Sequence, residues 1–128
     1  MLNLGHTFGH AFEALTGYDN TLLHGEAVAY GMVLAFEFST MRGDCPSADA
    51  ARVKAHIAAS HLPASMREIG NGKFAASALL EAMTQDKKVQ NGTMRFILAH
   101  GLGDTFIADD VDEDMLRAFL LAQGAQDA

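Results

Sequence analysis

Residues 4–15 carry two stripes that only a helix sets apart. Leu4, Phe8, Phe12 and Leu15 recur at helical spacing, and so do His6, His10 and Glu13. Two residues turn a helix by about 200°, so the apolar stripe and the histidine stripe fall on nearly opposite sides. The segment is therefore expected to form a helix from about Leu4 to Leu15, with Asn3 as its cap, one face in a core and the other presenting chemistry. Gly5 and Gly9 each weaken such a helix by up to about 1 kcal/mol relative to alanine. Their presence implies that a ligand or another chain segment approaches the backbone closely.

The rest of the chain reads as further helices and one β element. Gly17 to Asn20 is turn-forming. A second helix is expected from His24 to about Met41, apolar on nearly all sides and hence central, with Gly43 as its C-terminal cap. A third is expected from a Ser47 cap to about Ser60, stopped by Pro63, and a fourth from Phe74 to about Lys87. The period then changes to two. Thr93 to Leu98 and Thr105 to Ala108 are β-prone runs around Gly101 to Asp104, which predicts a hairpin. Asp112 then caps a last helix with Glu113 and Asp114 in its first turn, and residues 124–128 are expected to fray. The expected fold class is mainly α, a multi-helical domain with a small β-hairpin, and residues 1–128 read as one domain.

Composition excludes several functions. Sixteen acidic against nine basic residues give a net charge of −7, so there is no basic face for nucleic acid. The apolar run from Ala27 to Phe36 is too short for a membrane span, and with no basic stretch ahead of an apolar one a signal peptide is not expected. The single cysteine, Cys45, allows no internal disulfide and reads as a passive loop residue; the chain is expected to be cytoplasmic.

The chemistry-bearing residues are the histidines. His6 and His10, one helical turn apart, suit two nitrogen ligands of a zinc ion, and His24 is the nearest third candidate. The alternative is that the pair are ordinary residues at the edge of the core. Glu13 reads as a supporting or solvated residue rather than a ligand, and Glu26 as an acid at a helix start. His56, His61 and His100 lie outside the motif and read as surface or structural.

The runs Asn3-Leu4-Gly5-His6-Thr7-Phe8-Gly9-His10-Ala11, Leu23-His24-Gly25-Glu26-Ala27-Val28 and Asp86-Lys87-Lys88 closely resemble 3-dehydroquinate synthase, over the whole chain. The resemblance implies the C-terminal helical domain of that enzyme. It implies an NAD- and metal-dependent lyase of the shikimate pathway of aromatic amino-acid biosynthesis, converting 3-deoxy-D-arabino-heptulosonate 7-phosphate to 3-dehydroquinate and phosphate. It assigns His6 and His24 to the metal, Zn2+ or Co2+, and His10 to acid–base work on the substrate. Asn3 and either Lys87 or Lys88 then contact the substrate phosphate. Without the family, Asn3 reads equally as a helix cap and the lysines as partners of a helix dipole. The family's third metal ligand, a glutamate, and its nucleotide-binding N-terminal domain are expected to lie outside this chain. The chain alone is then expected to be inactive, and the full-length enzyme to be a homodimer. Alternatives are another sugar-phosphate cyclase, such as a 2-deoxy-scyllo-inosose synthase, a glycerol-dehydrogenase type of enzyme, or a non-catalytic helical metal-binding or assembly module.

Overall fold

The computed structural model describes residues 4–16, 24–69, 72–89 and 96–127, with the backbone alone for His24 and for residues 85–89. These residues form five α-helices and one antiparallel hairpin: α1 (His6–Leu15), α2 (His24–Arg42), α3 (Ser47–Ala59), α4 (Ala76–Val89), β1 (Phe96–Gly101), β2 (Asp104–Ala108) and α5 (Glu113–Ala122), with a 3-10 turn at Met66–Glu68. No described helix is long and apolar enough to cross a membrane.

The core is built on one phenylalanine from each of four elements. The Phe8 ring of α1 lies 5.3 Å from Phe96 of β1 and 5.9 Å from Phe119 of α5, and Phe38 of α2 lies 5.0 Å from Phe119. All four are essentially solvent-free. Each buried side chain contributes about 1.5–3 kcal/mol, and each aromatic pair about 0.5–1.5 kcal/mol more. A second aromatic group sets Phe12 edge-on to Tyr30 at 5.2 Å and to Phe74 at 5.0 Å, which fixes the start of α4 beside α1. As its composition predicts, α2 is central: it packs on α1, α3, β1 and α5.

Helix ends account for most departures from expectation. Helix α1 begins at His6, not Leu4, because Gly5 at its N-cap position adopts φ +82°, outside helical geometry. Whether Asn3 caps anything lies outside the described residues. Gly43 does end α2: with φ +86°, it donates to Thr40 O while Asp44 N–H donates to Ser39 O, the paired bonds of a Schellman motif. Pro46, rather than Ser47, occupies the N-cap of α3. That helix stops before Pro63 is reached, because His61 turns left-handed at φ +62°. His61 N–H donates to Ala58 O and Leu62 N–H to Ile57 O, a second Schellman motif without its usual glycine.

Helix α4 starts two residues after Phe74, which is extended and paired elsewhere. Gln126 N–H donates to Phe74 O at 2.7 Å and Ala76 N–H to Gln126 O at 2.9 Å. The segment expected to fray is therefore docked. Gly124, φ +112°, closes α5 with a third Schellman pair to Leu121 and Leu120, and Ala125 is buried in the core. The hairpin forms as predicted, Phe96 opposite Ala108 and Leu98 opposite Phe106, with a register slip between Ala99 and Gly101; Thr93 to Arg95 lie outside the described residues. Asp112 caps α5, its carboxylate accepting Asp114 N–H at 2.9 Å.

Candidate active site

The face of α1 away from the phenylalanine core presents His6 and His10, both partly exposed, with ring centres 3.8 Å apart and planes at 61°. The glycines at Gly5 and Gly9 explain how closely the neighbouring helix approaches this one. A Cβ on Gly5 would collide with the Gly31 carbonyl carbon and Met32 N, and one on Gly9 would sit 2.9 Å from Ala27 O. The close neighbour of the α1 backbone is thus a chain segment, the first half of α2. Gly31 returns the contact, since a Cβ there would strike Gly5 O. Gly31 was not singled out from the sequence. An isolated glycine inside an otherwise apolar helix is the available signal.

The pairing Gly5 with Gly31 and Gly9 with Ala27 makes α1 and α2 antiparallel. It carries the N-terminal turn of α2, which starts at His24, toward the end of α1 that holds His10 and Glu13. Glu13 is buried, at 9% exposure. The side chains of His24, Lys87 and Lys88, and all of Asn3, lie outside the described residues. The backbone puts Lys87 and Lys88 in the last turn of α4, a helix that packs on α1. His56, His61 and His100 are exposed, as expected of residues outside the motif. His100 stacks on Phe106 with ring centres 4.1 Å apart.

Two groups are held neutral by burial. Burial raises the Tyr30 phenol well above its usual range, and the charges of Glu37 and Glu68 add to it. Burial likewise pushes the Cys45 thiol up, with Asp49 contributing. A thiol so held is a poor nucleophile at neutral pH, in keeping with a passive role.

Among the described residues no three or more His, Cys, Asp and Glu side chains gather as a metal site. Residues His6, His10 and Glu13 therefore do not form a complete ligand set on α1. Two adjacent imidazoles do fit the donor chemistry of a divalent transition metal, which then draws further ligands from other segments.

Residues 1–89 match the model of the 3-dehydroquinate synthase C-terminal family. The chain is 51% identical over 125 residues to a 3-dehydroquinate synthase of Caulobacter vibrioides, covering 98% of this chain and 34% of the relative. This chain belongs to the 3-dehydroquinate synthase family. A 3-dehydroquinate synthase of Paracoccus denitrificans is 52% identical over 120 residues, covering 94% of the chain and 33% of the relative. The chain thus spans about a third of the length of these family members. The fold matches a 2-epi-5-epi-valiolone synthase from Streptomyces hygroscopicus subsp. jinggangensis, solved with NAD+ and Zn2+ bound. The TM-score is 0.78 at 26% identity, over 94% of this chain and 32% of that one. It also matches a 2-deoxy-scyllo-inosose synthase complexed with carbaglucose-6-phosphate, NAD+ and Co2+. There the TM-score is 0.71 at 20% identity, over 94% and 33%, a likeness of fold alone.

Proposed function

We propose that this chain is the C-terminal, metal- and substrate-binding part of a 3-dehydroquinate synthase, acting on 3-deoxy-D-arabino-heptulosonate 7-phosphate and releasing 3-dehydroquinate and phosphate. The observation that carries this reading is the His6–His10 pair, 3.8 Å apart on the α1 face away from the core, in a chain that shares half its residues with enzymes of that name. The cyclases that close other rings are less similar in sequence, at 26% and 20% identity.

In this reading His6 and His24 hold a divalent cation, Zn2+ or Co2+. Its third protein ligand, a glutamate, and the NAD site lie on an N-terminal domain outside this chain. When bound, the cation supplies Lewis acidity toward the substrate's vicinal hydroxyls, and NAD a reversible hydride acceptor. His10, a ring's width from His6, accepts and returns a proton at the substrate. Asn3 and Lys87 or Lys88 hold the substrate phosphate, the lysine by a charge-assisted hydrogen bond. The Gly5, Gly9 and Gly31 crossing sets the backbones of the two histidine-bearing helices, α1 and α2, in close contact. The full-length enzyme is a cytoplasmic homodimer, and the chain alone is inactive.

The test is metal content and turnover of the full-length polypeptide bearing His6→Ala or His24→Ala. Loss of metal and activity with the fold retained supports the reading, and unchanged activity removes it. For the chain alone, calorimetry is expected to give weak zinc binding and no NAD binding; tight NAD binding would contradict the division of the site between two domains.

A further inference from the structure

A buried carboxylate needs a partner, because desolvating it without one is prohibitively costly. Glu13 is such a group, and it lies where the glycine stripe and the histidine stripe of α1 converge. At 100° per residue its direction falls between those of Gly9 and His6, within about 60° of His10. The crossing register supplies what it faces. Each turn up α1 matches a turn down α2, Gly5 with Gly31 and then Gly9 with Ala27. One further four-residue step runs to the N-terminal end of α2, and because helical side chains lean toward their own helix's N-terminus, that of Glu13 inclines to the first turn of α2, His24 through Gly25 and Glu26. The first N–H groups of a helix have no partner within it, and their dipoles favour a negative charge there.

We infer that Glu13 is a positioning residue: its buried carboxylate holds the first turn of α2 and thereby fixes the backbone from which His24 projects. The metal role of His24 rests on the function proposed above; the placement of the turn does not. Glu13 is kept off the metal in this arrangement. It acts on the site by setting where α2 begins relative to His6 and His10.

The experiment uses the 128-residue chain with Glu13→Gln and Glu13→Asp. Amide hydrogen exchange at Gly25 and Glu26 reads the turn directly. Glu13→Gln is expected to speed exchange there about tenfold or more, with α5 unchanged, and Glu13→Asp to restore part of the protection. Cobalt(II) titration, followed by visible absorption, is expected to show affinity falling about 10–100-fold in Glu13→Gln. Wild-type exchange at Gly25 and Glu26 in both variants overturns the inference. If Glu13→Gln does not fold, Glu13→Asp decides: wild-type exchange there overturns it, and faster exchange confined to that turn supports it. Altered exchange in Glu13→Gln beside an unchanged cobalt affinity in His24→Ala leaves the positioning intact and instead removes the metal role of His24.

Discussion

Ser39 Oγ accepts the Ala99 N–H at 3.0 Å, joining the last turn of the fold's central helix to β1 where the hairpin register slips. The same hydroxyl donates to Ala35 O at 2.6 Å, and both Ser39 and Ala99 are fully buried.

Ser39→Ala leaves the Ala99 N–H buried without that acceptor. The expected cost is about 1–3 kcal/mol, more than the loss of an exposed hydrogen bond, because the orphaned donor has no access to water. Urea denaturation checks this: the midpoint should fall while the slope stays constant. An unchanged midpoint would mean that the hydroxyl is dispensable.

Gly5 and Gly9, two glycines of the helix crossing, should respond to alanine oppositely to Gly25 at the start of α2. Gly9→Ala gains up to about 1 kcal/mol of helix propensity but drives a methyl to within 2.9 Å of Ala27 O, an overpacking cost of about 1–3 kcal/mol against rigid backbone. A net loss is expected. Gly5→Ala should be worse, since it adds a left-handed φ of +82° to the collision. Gly25→Ala meets nothing within 4 Å and should be neutral or slightly stabilising. Thermal melts of the three variants give the ranking, and a stabilised Gly9→Ala would refute the close crossing.

His61→Gly should stabilise the chain by about 0.5–1 kcal/mol. His61 is exposed and left-handed at the end of α3, so glycine relieves about 1–2 kcal/mol of strain and returns part of it as entropy of the unfolded chain. A lower melting temperature for this variant would contradict that accounting.

Tyr30 predicts an alkaline effect with a definite sign. Its folded pKa is raised by burial, so the folded chain keeps a proton that the unfolded chain loses. The contribution is fully present below the ordinary tyrosine value of about 10 and is lost as pH rises beyond it. The hydroxyl is also buried with no hydrogen-bond partner among the described residues. Tyr30→Phe should therefore match or exceed wild-type stability at pH 7 and lose less of it above pH 10. Parallel curves for the two proteins would rule out Tyr30 as the cause.

The periodic parts of the fold were legible in the sequence. The stripe of Phe8 and Phe12, the all-round apolar surface of α2 and the hairpin around Gly101 to Asp104 each follow from a repeat of 3.6 or 2. The Asp112 cap and the Gly43 stop follow from local chemistry that needs no tertiary partner. What escaped were features set from a distance. Phe74 is extended because Gln126 pairs with its backbone, and residues 124–127 are ordered for the same reason. Neither signal exists within a short window of sequence. His61 was illegible for another reason: a non-glycine residue rarely turns left-handed, so proline two positions on drew the stop instead. In the site, the face shared by His6 and His10 and the close approach implied by Gly5 and Gly9 were readable. The burial of Glu13 was not, since it depends on how far along α1 the second helix extends.

The bridge between Ala75 and Gln126 also bears on the order in which the molecule is made. A ribosome releases α1, α2 and α3 first, and they can collapse on one another as they emerge. The strand-like stretch at Phe74 must then wait for a partner synthesised after the hairpin and α5. Until it arrives, the start of α4 lacks that backbone anchor and rests on side-chain packing against α1, the Phe12 ring included. The helix that carries Lys87 and Lys88 thus gains its backbone anchor late, and a stall before Gln126 leaves a nascent chain in which the start of that helix rests on side-chain packing alone.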